Sequence, residues 1–184
     1  ADKDQKLAFA NSYDTETGID LEGTKSLEGR TLKDGEFTFE VKGKAGKVVA
    51  TGSNKSDGSI SFNNKLNYKL SDLEKADGSY ESEKTYEYTV NEVIPEGATA
   101  ENNYTVNGVT YDSKTVNVKV TVTYNKETGE LKAELAKDSE AIAFQNSYDT
   151  ETSIGLEGTK SLSGRTLKDG EFTFEVKDKA GKVV

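Results

Sequence analysis

The stretch VNVKVTVTY, residues 116–124, alternates apolar and polar side chains along its whole length. Side chains in a β-strand point alternately to the two faces of the sheet, so this alternation predicts a strand with one buried face. Shorter stripes with the same period lie on both sides of it, and residue pairs typical of tight turns separate them. The sequence therefore predicts an all-β fold, a two-sheet β-sandwich with Ig-like architecture. The turn pairs are Asp34-Gly35, Asp57-Gly58, Asp77-Gly78, Asn107-Gly108 and Thr128-Gly129.

The two ends of the chain carry nearly the same sequence. The segment from Phe9 to Val49 returns as Phe144 to Val184, at an offset of 135 residues. A period of that length is the size of a domain, which indicates a tandem array of similar domains and not a solenoid. We predict residues 1–18 to be the last strand of a preceding repeat, 19–149 one complete repeat, and 150–184 the first strands of a following repeat. Between Leu131 and Asp138 the pattern fits either a strand or a short helical turn.

Composition excludes several classes of function. The formal net charge of -9 opposes binding to nucleic acid or to an anionic membrane surface. Without Cys or His, the chain has no disulfide, no ordinary transition-metal ligands and no Ser-His or Cys-His catalytic pair. No apolar run is long enough to insert into a membrane. The acidic turns lack the ligand spacing of a calcium loop, so we predict neither a metal nor a cofactor.

Three polar residues, an amine, a carboxyl and an amide, occupy positions that the stripes assign to a buried face. One interpretation is that they lie at strand ends, where a lysine extends its amine to water. The other is that they meet in the core, because a polar side chain on a buried face must be hydrogen-bonded or have a task. The residues are Lys25 in the stripe of residues 19–27, Glu92 in that of residues 86–94, and Asn146 in that of residues 142–148.

A buried amine, carboxyl and amide are the reagents for an amide bond between side chains. Burial lowers the pKa of the Lys25 amine and raises that of the Glu92 carboxyl, so a neutral nucleophile and a neutral acid can coexist. We predict that Lys25 attacks the side-chain amide of Asn146 and that ammonia leaves. In this prediction Glu92 donates a hydrogen bond to the amide carbonyl and relays protons. Asn64 is a competing amide, because it shares the parity of its own apolar stripe; a bulge or edge position is its other interpretation.

Three motifs together resemble a known family: GTKSLEGRTLKDGEFTFEV from Gly23, YEYTVNEVIP from Tyr86 and FQNSYD from Phe144. The chain is similar to the pilin isopeptide-linkage repeats of Gram-positive surface proteins, including domains of streptococcal backbone pilins. The resemblance covers the whole predicted repeat and implies a pilin-type sandwich. It also implies that Lys25 bonds to Asn146 with Glu92 assisting, in a single self-catalysed reaction and not as a turnover enzyme. The equivalent positions in the flanking partial copies are Asn11 and Lys160.

These inferences predict a stalk or spacer module of a repetitive adhesin or pilus-like fibre on the surface of a Gram-positive bacterium. Its expected partners are neighbouring repeats of the same chain, with a host ligand bound by a distal domain. The alternative is an adhesin domain that itself recognises a host protein or glycan. A third class is an enzyme that uses the carboxyls of Glu81 and Glu83 on an external substrate, although their outward parity favours a solvated strand face.

Overall fold

The computed structural model describes residues 11, 13–151 and 155–184. The chain divides into two compact units between Thr150 and Glu151. The described residues of the first unit form twelve strands. They are β1 (Glu16–Ile19), β2 (Glu22–Glu28), β3 (Thr38–Gly43), β4 (Val48–Asn54), β5 (Ser59–Phe62), β6 (Leu66–Lys69), β7 (Glu83–Glu92), β8 (Thr105–Val106), β9 (Val109–Thr110), β10 (Thr115–Tyr124), β11 (Leu131–Leu135) and β12 (Ala143–Tyr148).

The predicted alternation is confirmed, and the fold is all-β. On β10 the four valines of the stripe are buried while the side chains between them face outward. β-Branched side chains suit this half-buried, pleated setting. Of the two interpretations for residues 131–138, the structure shows a strand, β11. The described residues contain only two short 3₁₀ turns, Leu70–Leu73 and Ala100–Asn102, and no helix among them is long and apolar enough to cross a membrane.

The predicted turn pairs lie at chain reversals. The glycine of every pair has a positive φ, a backbone conformation that only glycine adopts readily. Between β8 and β9 the two loop residues, Asn107 and Gly108, have φ values of 50° and 79°. Two positive φ angles in a two-residue loop are the mark of a type I′ hairpin, as the Asn-Gly sequence favours.

Ten strands form one hydrogen-bonded ladder in the order β11-β10-β7-β3-β4-β5-β2-β12-β9-β8, and β1 pairs with β6. Adjacent strands lie about 4.8 Å apart, so β7 and β12, five places apart in the ladder, would be separated by roughly 24 Å in a flat sheet. Their side chains nevertheless touch, since Glu92 on β7 hydrogen-bonds Asn146 on β12. The ladder therefore folds over on itself into the predicted sandwich. Across its core the rings of Phe39 and Phe144 lie 5.1 Å apart between centroids.

The parallel pairing of β2 with β12 is the feature that positions the site. In its register Phe144 lies opposite Lys25, and Asn146 lies opposite Leu27. Asn146 therefore lies two residues further along the paired strands than Lys25. Because side chains alternate in step along paired strands, both point to the same face, which is the core.

The second unit, within residues 151–184, has much less regular secondary structure than the first. Its described residues form no named strand and only one isolated bridge, between Lys177 and Val183. Near the other end of the chain, residues 1–10 and Ser12 lie outside the described residues, and Glu16 to Gly18 belong to β1. The division into a preceding strand, a complete repeat and a following partial repeat stays a prediction.

Candidate functional site

Three buried polar side chains from three strands meet in the core of the sandwich. Lys25 lies in the middle of β2, Glu92 is the last residue of β7, and Asn146 lies in β12. Their exposed fractions are 3%, 5% and 1%, and each has apolar neighbours at alternate positions of its strand. Of the two interpretations of these residues, burial at the core and not extension to water is the one observed.

The carboxyl of Glu92 lies between the two nitrogens. The amine Nζ of Lys25 donates to Oε2 at 2.7 Å, and the amide Nδ2 of Asn146 donates to Oε1 at 2.7 Å. One oxygen of Glu92 therefore serves the predicted nucleophile and the other serves the predicted leaving group. The side chains of the Lys25–Glu92 pair are completely buried.

Aromatic rings form one wall of the site. The Nζ atom of Lys25 lies 4.6 Å from the ring centroid of Phe37 and 5.9 Å from that of Phe39. Phe37 is held in turn by Asn54, a buried side chain that the apolar stripes of the sequence did not reveal. Asn54 Oδ1 accepts from the Phe37 backbone N–H at 2.8 Å. The rings exclude water and leave the amine with Glu92 as its hydrogen-bond acceptor.

Burial shifts both members of the ion pair towards their neutral forms. Desolvation lowers the pKa of the Lys25 amine below its ordinary value of 10.5, although the hydrogen bond from Lys25 to Glu92 opposes the shift. Desolvation likewise raises the pKa of the Glu92 carboxyl above 4.5, against the opposing effects of Lys25 and Asn146. Both shifts have the direction predicted from the sequence. Because they bring the two pKa values closer together, they reduce the free-energy cost of moving a proton from the amine to the carboxylate.

The orientation of the Asn146 amide differs from the prediction. We expected Glu92 to donate to the amide carbonyl, but Glu92 faces the amide nitrogen instead. The carbonyl Oδ1 accepts from the backbone N–H of Asp112 at 2.8 Å. Because a backbone N–H can only donate, it fixes the carbonyl on its own side and turns the NH₂ group towards Glu92. The predicted hydrogen bond from Glu92 to the carbonyl is therefore wrong.

Asp112 is a second residue near this site that the sequence did not reveal. It lies in the four-residue loop between β9 and β10, and its contribution is a backbone group, which leaves no mark in side-chain patterns. Its carboxylate accepts from the backbone N–H of Gln145, the residue before Asn146, at 3.0 Å. The loop is thus fastened to β12 at two points, the backbone of Gln145 and the side chain of Asn146.

The other candidate residues lie outside this cluster. Asn64 is exposed, which leaves Asn146 as the amide in contact with Glu92. Asn11 and Lys160 are also exposed, and Glu83 lies on a solvated strand face. Lys160 in the second unit lies 4.8 Å from the ring of Phe172, which reproduces the contact between Lys25 and Phe37. Across residues 11, 13–151 and 155–184 no group of acidic side chains is arranged to hold a metal ion.

Residues 21–149 match the model of the FctA family, described as the Spy0128-like isopeptide containing domain. The chain belongs to this family. The matched FctA segment begins just before Lys25 on β2 and ends just after Asn146 on β12, so it includes all three polar residues of the core. Its limits nearly coincide with the complete repeat predicted for residues 19–149.

The FctA domain is also similar to solved pilin structures. The crystal structure of the major pilin from Streptococcus pyogenes is 19% identical, with a TM-score of 0.39, and the match covers 72% of this chain and 51% of the pilin. A single-substitution mutant of that pilin gives a TM-score of 0.38 at the same identity and coverages. The T-13 major pilin of the species is 18% identical, with a TM-score of 0.35, over 74% of this chain and 54% of that one. The matches span about half the length of these pilins, and no curated protein sequence matches.

Proposed function

We propose that this FctA domain is a structural module of a cell-surface fibre, stabilised by an amide bond that forms between the side chains of Lys25 and Asn146. One observation carries the proposal: a buried carboxyl, Glu92, accepts hydrogen bonds from both nitrogens that the reaction exchanges. An amine and an amide separated by such a carboxyl have a nucleophile, an electrophile and a proton relay within one dry site. Glu92 acts once on its own chain and not on an external substrate.

The reaction starts from the hydrogen-bonded pair. A proton moves from Nζ of Lys25 to Oε2 of Glu92, which leaves a neutral amine and a neutral acid. The amine lone pair attacks Cγ of Asn146, and the carbonyl electron pair moves onto Oδ1. Glu92 then gives its proton to Nδ2 and takes another from Nζ, the Cγ–Nδ2 bond breaks, and ammonia leaves. One new amide remains, with the carboxyl of Glu92 protonated beside it.

The bond stabilises the folded domain by restricting the unfolded chain. Lys25 and Asn146 lie 121 positions apart, at the two ends of the matched FctA segment. On the loop-entropy account developed for disulfides, closing a loop of that size contributes roughly 4 to 5 kcal/mol. A chain without cysteine has no disulfide to do this, so a side-chain amide supplies the covalent reinforcement.

The position of the bond suits a domain that transmits tension. Lys25 and Asn146 lie on the neighbouring strands β2 and β12, near the two ends of the first unit. A bond between them passes force from one strand directly to the other and leaves the strands between them unloaded. The repeat at offset 135 supports a tandem array of such domains, with neighbouring repeats as partners, on the surface of a Gram-positive bacterium.

Intact-mass measurement of the folded protein tests the bond. We expect the protein to be lighter than its sequence by one ammonia, and the variants Lys25→Ala and Asn146→Ala to have their full sequence masses. Lys42→Ala removes a partly exposed lysine of β3 and is the matched control, so it should still lose one ammonia. An unmodified mass in folded wild-type protein would exclude the bond.

A further inference from the structure

Amide formation moves negative charge onto the Asn146 carbonyl oxygen, and that oxygen needs a hydrogen-bond donor. In acyl transfer the tetrahedral intermediate carries its charge on this atom, and a fixed donor beside it lowers the barrier. Glu92 does not meet the need, because both of its oxygens face nitrogen atoms. The donor must come from another part of the site.

The backbone N–H of Asp112 already points at that oxygen. It donates to Oδ1 of Asn146 at 2.8 Å, within the range of oxyanion donors. Asn146 is only 1% exposed, so its side-chain oxygen is shielded from solvent water. A peptide N–H in a folded loop also needs no reorganisation as the charge develops, and in a water-poor site such a dipole acts strongly.

The carboxylate of Asp112 holds this N–H in place. Its Oδ2 accepts from the backbone N–H of Gln145 at 3.0 Å and lies 3.0 Å from Nζ of Lys114. Its Oδ1 accepts from the backbone N–H of Lys114 at 3.2 Å. Burial opposes its ionisation, but the hydrogen bonds from Gln145 and Lys114 prevail and lower the pKa of Asp112 below its ordinary value. The side chain of Asp112 thus ties its own loop to β12 next to Asn146.

We propose that the backbone N–H of Asp112 stabilises the oxyanion when Lys25 attacks Asn146, and that the Asp112 carboxylate positions this N–H. This inference rests on the proposed Lys25–Asn146 bond. It assigns to Asp112 the stabilisation of the charge on Oδ1, which Glu92 does not provide. Glu92 moves protons between Nζ and Nδ2. The backbone N–H of Asp112 stabilises the negative charge on Oδ1 by donating a hydrogen bond to it. As Nζ bonds to Cγ, the carbonyl electron pair moves to Oδ1; it returns to form the new amide carbonyl as ammonia departs.

The rate of bond formation after refolding separates the two roles of Asp112. Unreacted chain recovered in denaturant is diluted into buffer, and the loss of ammonia is followed by mass while circular dichroism follows folding. Asp112→Ala keeps the backbone N–H but removes the carboxylate that positions it. Asp112→Pro removes both the N–H and the carboxylate. We expect Asp112→Pro to react about 10²- to 10³-fold more slowly than Asp112→Ala, the usual effect of removing one oxyanion donor. Asp112→Asn keeps an acceptor for the Gln145 N–H and should react faster than Asp112→Ala.

A second measurement, on a variant that cannot form the bond, tests the inference even if Asp112→Pro does not fold. The Lys25→Ala variant cannot form the bond and keeps Asn146 as a free amide. In this variant we expect a scalar coupling across the hydrogen bond between the Asp112 backbone ¹⁵N and the Asn146 ¹³Cγ. We also expect slow hydrogen exchange at the Asp112 amide.

The outcomes separate this inference from the proposed function. If wild-type protein forms no bond, the proposed function fails and the inference fails with it. If the wild type forms the bond while folded Asp112→Pro reacts as fast as Asp112→Ala, only the role of Asp112 is wrong. Absence of the coupling together with rapid exchange at the Asp112 amide would overturn it as well.

Discussion

At the scale of single residues, the geometry supports the proposed role of Glu92 as the carrier of protons between two nitrogens. Its two oxygens accept from the Lys25 amine and the Asn146 amide, each at 2.7 Å. A glutamine at this position would keep a similar shape but would have no basic oxygen to take the amine proton. We therefore propose that the carboxyl takes part in the chemistry and does not merely fill space.

We predict that Glu92→Gln folds but forms the bond at least about 10²-fold more slowly, because positioned proton transfer typically contributes 10²- to 10⁴-fold. Intact mass during refolding would show the full sequence mass long after the wild type has lost ammonia. Glu40→Gln, on the neighbouring strand β3, is the matched control and should react at the wild-type rate. Equal rates for Glu92→Gln and wild type would remove Glu92 from the mechanism.

The pKa shifts predict a bell-shaped dependence of the bond-forming rate on pH. At low pH Glu92 holds a proton while Lys25 stays an ammonium, so no nucleophile is present. At high pH Lys25 is neutral, but Glu92 is ionised and has no proton for the leaving nitrogen. Since burial raises the pKa of Glu92 and lowers that of Lys25, both limbs should lie inside the window from 4.5 to 10.5. Initial rates by mass would show this, and a rate still rising above pH 10.5 would contradict it.

How much of the site could be predicted depends on whether a group shows itself in side-chain patterns. Lys25, Glu92 and Asn146 interrupt apolar stripes, and their parity, together with their complementary chemistry, pointed to the core as one of two interpretations. Asp112 interrupts no stripe, because it lies in a loop and acts through its backbone N–H. The orientation of the Asn146 amide was predicted wrongly for the same reason, since that N–H decides it.

At the scale of strands, the close approach of β2 and β12 sets the distance over which the proposed bond would form. The N–H of Thr24 donates to the Ile142 carbonyl at 2.9 Å just before the two strands pair. Gly23 makes this approach possible, because a Cβ there would lie 2.6 Å from the Ile142 side chain and 2.9 Å from its carbonyl oxygen. Alternation predicted that these strands exist, but it does not record which strands are neighbours, so their parallel pairing was not predicted.

We predict that Gly23→Ala forces β12 away from β2, lowers the free energy of unfolding by about 1 to 3 kcal/mol and slows bond formation. Denaturant unfolding should be compared in an Asn146→Ala background, where no bond contributes, and the reaction rate in the wild-type background. Gly43→Ala on β3 is the control, because its Cβ would meet only a Val49 methyl group at 3.8 Å. If Gly23→Ala matches Gly43→Ala in both measurements, the contact between Gly23 and Ile142 does not set the approach of the strands.

At the scale of the whole molecule, the duplicated segment shows what local sequence can and cannot specify. Arg30 pairs with Glu36 in the first unit, and Arg165 pairs with Glu171 in the second. Burial is not duplicated: Phe39 is completely buried, while its counterpart Phe174 is 74% exposed. In the first unit β3 lies between β4 and β7, and residues 155–184 contain no counterpart of β7. Short-range contacts therefore follow from the sequence alone, whereas strands and core require distant partners.

The proposed bond also predicts how the first unit responds to tension. Pulled from its two ends, the wild-type domain should not lengthen by the 121-residue loop between Lys25 and Asn146, because the amide bond carries the force past it. Single-molecule force spectroscopy measures this extension directly. The Lys25→Ala variant should show the full extension and so acts as the control. An extension of that size in reacted wild-type protein would contradict the proposed path of force.

The proposed function requires one covalent bond, between Lys25 and Asn146, and peptide mapping by fragmentation mass spectrometry tests that bond most directly. The duplicated ends supply a second lysine, Lys160, and a second asparagine, Asn11, but the segment that contains Glu92 occurs once. We predict a single branched peptide that joins Lys25 to Asn146 and is one ammonia lighter than its two parts. Unbranched peptides with Lys25 and Asn146 intact, or a branch at Lys160 or Asn11, would contradict the account.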